Sequence, residues 1–199
     1  MRFLSPKPAP LPPELDRRAR SAMSLFDAGQ YFAAERTWTS LLLECERTLG
    51  AEHPETIAIL DRLGSALFRQ RRLDESADRH REAHRRAVAV LGPKHPDTLQ
   101  YAHNLGCALA MAGHWDEGLP ILREIVKRRR RVLGATHADT LDTAKTLGVS
   151  LFLSGDTEAA TEILQTAYRT ATRTFGLDTP LVQDIGNNLG IVLRNSRRI

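Results

Sequence analysis

Apolar positions along this chain recur with helical spacing, most clearly between Trp115 and Leu133. There Ile121, Leu122, Ile125, Val126, Val132 and Leu133 fall three, four or seven apart. That spacing lays one apolar stripe along a helix and leaves the charged residues on the other side. The same kind of segment returns at a fixed interval. Leu49-Gly50, Leu91-Gly92, Leu133-Gly134 and Phe175-Gly176 are 42 residues apart. Leu63-Gly64, Leu105-Gly106, Leu147-Gly148 and Leu189-Gly190 keep the same interval of 42. Gly29, Gly113 and Gly155 mark a turn, with Arg71 in the second copy, and Tyr31, Leu73, Trp115 and Thr157 follow two residues on.

Each unit therefore reads as two helices. The first opens at the Pro of His53-Pro54-Glu55-Thr56 and His95-Pro96-Asp97-Thr98, with His137-Ala138-Asp139-Thr140 in the next copy and Thr179-Pro180-Leu181-Val182 in the last. Proline suits a first helical position because it has no N–H to lose. Glu55, Asp97 and Asp139 lie where the helix dipole favours an anion. The second helix runs from Tyr31, Leu73, Trp115 or Thr157 to the Leu-Gly or Phe-Gly pair, where the Gly can cap it. Pro120 is expected in the first turn of its helix, where it is tolerated. One helix pair cannot bury its apolar face alone, whereas stacked pairs can. The sequence thus predicts an all-α superhelix with units at about 14–49, 50–91, 92–133 and 134–175 and a capping helix over about 179–197.

Composition narrows the class. The 199 residues are 42% hydrophobic, 6% aromatic and 26% charged, with a net charge of +4. That supports a sizeable core built on Leu, Ala, Val and Ile, and it does not demand a polyanionic partner. No run of 18 apolar residues occurs, so no membrane-spanning helix and no membrane partner are expected. Met1–Pro13 holds five prolines and no apolar core, which reads as an extended arm rather than a secretory signal. The arm is either a disordered leader or a strap lying against the first helix or the binding groove. Two cysteines, Cys45 and Cys107, do not make a disulfide scaffold and fit a reducing cytoplasm.

The series Leu105-Gly106, Ala108, Gly113, Trp115, Gly118, Leu122 resembles the tetratricopeptide repeat (TPR). The 42-residue period, the Leu-Gly-x-x-His-Pro-Asp linker and the Asn104-Leu105 pair resemble its kinesin-light-chain-like subclass, and bacterial proteins with such arrays are similar. The resemblance runs from about Glu14 to Arg197. It implies a right-handed α-solenoid, a single domain over 14–199, with the first helices lining a concave face.

Counted from the Leu-Gly pairs, that face would hold Arg62, Ser65, Phe68, Arg69, His103, Asn104, Cys107, Met111, Lys145, Val149, Phe152, Asn187 and Asn188. The asparagines can donate to and accept from an extended backbone. Arg62, Arg69 and Lys145 can hold carboxylates, with Asp61, Asp142 and Asp184 offsetting part of the charge. Phe68, Met111, Val149 and Phe152 can pocket apolar side chains. The expectation is a non-catalytic adaptor, monomeric or weakly dimeric, that binds an extended peptide or a partner helix through acidic and apolar anchors. The subclass resemblance points the same way, toward short acidic-aromatic peptides. The Lys, Asn, Asn, Lys and Arg set of TPR carboxylate clamps is incomplete here, so a chaperone tail is not expected.

Other features look like chemistry. His53, His95 and His137 sit one per repeat, and equivalent positions on stacked helices are roughly 8–10 Å apart per helix step. They cannot share a metal ion whose ligands must lie about 2 Å from it. His80 and His84 are one turn apart but lack a third ligand, and His80 falls where other copies have Trp38, Leu122 and Leu164. It is expected to be a packed, hydrogen-bonded histidine. Cys107 lies one turn from His103, yet nothing supplies an oxyanion hole. No cofactor, metal or enzyme activity is expected. Arg123, Lys127, Arg128, Arg130 and Arg131 form a basic patch, which gives two lesser alternatives, a nucleic acid or an acidic partner. Self-association through the end helices is a third. Arg129 replaces Cys45, Ala87 and Ala171 of the other copies, so it is expected to bury its stem and reach an acid such as Asp142 or the groove rim.

Overall fold

The computed structural model describes residues 10–196. Among them are nine α-helices and no strands: α1 (Pro13–Asp27), α2 (Tyr31–Thr48), α3 (Pro54–Arg69), α4 (Leu73–Val90), α5 (Pro96–Ala112), α6 (Trp115–Val132), α7 (Ala138–Leu153), α8 (Thr157–Phe175) and α9 (Pro180–Ser196). Residues 1–9 of the proline-rich arm, and Arg197 and Arg198 of the expected tail, lie outside the described residues. Leu11, just before α1, packs against the core of the first helices.

The linker histidines have a local task. His53 Nδ1 accepts the Glu55 N–H at 3.3 Å, His95 Nδ1 that of Asp97 at 3.2 Å, and His137 Nδ1 that of Asp139 at 3.2 Å. A ring nitrogen thus satisfies one of the orphan amides of the helix start, a task usually left to Ser, Thr, Asp or Asn. Between the two helices of a pair, Gly29, Gly113 and Gly155 have φ of 75°, 90° and 96°, and Arg71 holds φ 65° in the same turn. Only Arg71 does so with a β-carbon, in a region that L-residues enter at a cost.

Pro120 departs from expectation. It is the sixth residue of α6, in the second turn, because the Gly118 N–H donates to His114 O and starts the helix at Trp115. The ring leaves Asp116 O without its intrahelical donor, at an exposed site that water can reach.

The chain forms two compact units that divide between Tyr101 and Ala102. In the first, Leu15, Trp38, Leu41, Ile57, Leu60 and Leu67 lie in one buried cluster. Asp61, expected near the groove, is instead buried, with its Oδ1 2.6 Å from His80 Nδ1. In the second, Leu122, Leu141, Leu147, Leu151, Leu164 and Ile185 form the core. Arg129 is buried there and donates from Nη1 to Asp139 O at 3.0 Å and to Thr143 Oγ1 at 2.7 Å. Burial lowers its pKa, while the charges of Asp139 and Asp142 oppose that shift.

Close packing within three of the pairs rests on a glycine, with Ala22 at the equivalent place in the first. A β-carbon at Gly148 would stand 2.6 Å from Leu164 Cγ, and one at Gly106 would stand 2.9 Å from Leu122 Cγ. At Gly64 it would meet the His80 ring at 2.9 Å.

Candidate functional site

The first helices of the pairs carry the candidate surface. In the first unit, Arg62, Ser65 and Phe68 are half-buried on α3 and Arg69 is exposed. Ser65 Oγ donates to Asp61 O at 3.2 Å. Arg69 is engaged by the preceding pair: its Nη2 donates to Tyr31 Oη at 2.6 Å, and its guanidinium lies 5.0 Å from the centre of that ring. Among the described residues, Arg62 has no hydrogen bond and no ion pair.

In the second unit, His103 and Lys145, each two before the Leu of its pair, turn between neighbouring first helices rather than into open space. His103 is buried there, with Nε2 3.7 Å from Asp142 Oδ2. Burial first, then the Arg129 charge, lowers its pKa to about 4, so the ring is neutral near pH 7. Lys145 Nζ sits 2.9 Å from Asp142 Oδ1 and 2.5 Å from Asp184 Oδ2, bridging α7 and α9. Asn188 Nδ2 donates to Asp184 O at 2.8 Å and to its Oδ1 at 3.3 Å. Lys145 and Asn188 therefore hold their own acid already. Cys107 has its thiol pushed up to about 11 by burial and by Asp142, so it is not the thiolate that nucleophilic chemistry needs. Phe152 packs against the core, and Asn187 is exposed.

The surface that remains open lies one before, two after and six after each Leu. It carries Asn104 and Met111 on α5, Thr146, Val149 and Leu153 on α7, and Ile191 and Asn195 on α9. Leu153 is 50% and Ile191 43% exposed. Neither is in the expected set, although Leu153 shares its offset from the Leu-Gly pair with Met111, and Ile191 with Cys107 and Val149.

On the second helix α6, Arg123, Lys127, Arg130 and Arg131 are exposed, and Arg128 is held by Glu124 at 2.8 Å. Arg130 also rims a cleft of about 310 Å³ floored by Leu141, Ala144, Leu147 and Ile163. Among the described residues, no group of three His, Cys, Asp or Glu could hold a metal ion. No described helix is long and apolar enough to cross a membrane.

The sequence profile of the tetratricopeptide repeat family matches residues 18–87, 57–119 and 108–173. The chain belongs to the tetratricopeptide repeat family. Two crystal structures of nearly identical TPR-like repeats, from a Podosopora anserina chain described as a kinesin light chain, are similar to this TPR chain. Their TM-scores are 0.81 and 0.79, at 20% identity over 93% of this chain and 88% of theirs. BtubC (BKLC) from P. vanneervenii is similar at a TM-score of 0.77 and 17% identity, over 92% of this chain and 72% of its own. At these identities the likeness is one of fold, the all-α TPR solenoid of the kinesin-light-chain-like subclass. No curated protein matches the sequence. Members of the TPR family are typically non-catalytic scaffolds for protein interaction.

Proposed function

We propose that this TPR chain is a non-catalytic adaptor, acting as one domain over 14–199, that binds a protein segment along the open stripe of its first helices. The observation that carries the reading is Arg62. It is a half-buried cation on that stripe with no acid of its own among the described residues, whereas Lys145 is neutralised by two. A partly desolvated, unpaired guanidinium gains most from a carboxylate brought by a ligand. In the other unit, Met111, Val149, Leu153 and Ile191 offer apolar contact, and Asn104 and Asn195 can take part in backbone pairing. Arg62 in the first unit suits an acidic anchor of a peptide or helix, and the apolar positions of the second unit suit apolar anchors. Two free cysteines suit a reducing compartment, which is where we place it.

The test is capture from lysate with wild type, Arg62→Glu and Leu153→Glu, with circular dichroism to confirm that each variant folds. A protein retained by wild type and lost from both variants supports the reading. Capture that both variants leave unchanged refutes it. A second reading rests on Arg123, Lys127, Arg130 and Arg131, which are exposed and without ion pairs among the described residues. It predicts capture that falls steeply with salt and is lost on nuclease treatment.

A further inference from the structure

Three glycines of the first helices each receive one large side chain from the helix that follows, His80 on Gly64, Leu122 on Gly106 and Leu164 on Gly148. The covering residue always lies 16 positions downstream and is itself buried. Gly190, 42 positions after Gly148, is the fourth glycine of this set. Among the described residues nothing covers it: a β-carbon there would meet only Arg194 Nη1, at 3.3 Å, the end of a flexible exposed side chain on the same helix. The flanking positions agree. Leu147 and Leu151 of α7 are buried, whereas their counterparts Leu189 and Leu193 on α9 are only half-buried. They border a cleft of about 370 Å³ whose edge includes Leu177, 61% exposed. An apolar notch of this kind, left in water, marks a place where a partner can bury surface.

We infer that this face of α9 docks an amphipathic helix of a separate protein, which seats a leucine-type side chain on Gly190. The chain itself supplies the template for the occupant. Four residues before the covering side chain the helices place Ser76, Gly118 or Ala160, and three residues after it Ala83, Ile125 or Ala167, all buried. The ligand helix therefore carries a small residue, a leucine four positions later and an apolar residue three beyond that, which is one face of an α-helix. In a second copy of this chain the covering side chains Trp38, His80, Leu122 and Leu164 are all buried, so none of them is available to seat on Gly190. Gly190 lies on α9 of the second unit, whereas Arg62 lies on α3 of the first.

The probe is a synthetic peptide with the sequence Thr157–Phe175, labelled with a fluorophore and held helical by side-chain bridges on its exposed face. Such bridging matters because a helix of this length is marginal alone. Titrated with the full chain and read by anisotropy, the peptide should bind saturably at one per chain. Gly190→Leu should weaken binding at least tenfold with circular dichroism unchanged, and Leu164→Asp in the peptide should abolish it. Arg62→Glu in the chain should leave it intact, which separates this site from the adaptor surface. Three outcomes would overturn the inference: no binding, binding that survives Gly190→Leu because the peptide has displaced α8, or a dimer by light scattering that Gly190→Leu dissolves.

Discussion

His80 Nδ1 lies 2.6 Å from Asp61 Oδ1, and the pair joins α4 to α3 inside the core of the first unit. In the other copies this position is Trp38, Leu122 or Leu164, so one repeat alone replaces an apolar contact with a buried polar one. His80→Leu restores the residue of two sister repeats but takes one partner from a buried carboxylate. It should cost about 1–3 kcal/mol. Adding Asp61→Ala, the residue of the first copy, should recover most of that loss. Urea unfolding of the two single variants and the double variant measures the coupling, and additive effects would disprove it.

Glycines in equivalent places should respond with opposite sign to the same substitution. Alanine in a helix interior gains up to about 1 kcal/mol over glycine. At Gly190 the added β-carbon meets only the end of Arg194, so Gly190→Ala should stabilise by about that amount. At Gly148 it would stand 2.6 Å from Leu164 Cγ, so Gly148→Ala should destabilise by about 1–3 kcal/mol. Thermal melts of the two variants decide it, and equal shifts would mean that the two notches do not differ.

The fold was legible because its information is periodic. Turn glycines, helix-opening prolines and the Leu-Gly pairs share one 42-residue register, broken by Arg71, Ala138 and the Phe175-Gly176 pair, and each reports a local backbone need. Pro120 fell outside the first turn because an α-helix turns every 3.6 residues and α6 begins five positions earlier. The surface was less legible. Asp61, His103 and Lys145 share one offset from the Leu, yet they face His80, Asp142 and Asp184 rather than open space. Those partners lie 19 to 39 residues away, and nothing at the helical period announces them. Tyr31 likewise captures Arg69 from 38 residues upstream. The capping role of His53, His95 and His137 escaped because ring nitrogens are uncommon caps, although their place before the helix was correct.

Arg71 holds φ 65° in a turn where three sister repeats have glycine. Arg71→Gly should stabilise the chain by about 0.5–1 kcal/mol, because the left-handed conformation costs an L-residue about 1–2 kcal/mol and glycine gives back part of that in unfolded-state entropy. A raised urea midpoint with an unchanged slope is the expected result, and an unchanged midpoint would mean that the turn carries no strain.

His103 gives acid sensitivity. Burial, then Arg129, lowers its pKa in the folded chain to about 4, against about 6.5 when unfolded. Below pH 6.5 the unfolded chain takes up a proton that the folded chain refuses. Stability should therefore be full above pH 6.5 and fall as the pH drops toward 4, by at most about 3 kcal/mol from this group. His103→Gln should flatten that part of the profile in urea titrations at pH 7, 5.5 and 4.5. A variant profile parallel to wild type would remove His103 from the account.

The distance between each covered glycine and its cover fixes where this chain can accept foreign sequence. Gly106 and Leu122 are 16 residues apart with the tight turn at Gly113 between them, so a single added residue there moves every apolar position behind it off its face. Pro93 and Lys94 are exposed and lie between one such pair and the next. An epitope or a reporter domain grafted after Lys94 lengthens a surface linker and leaves each covered glycine in register with its lid.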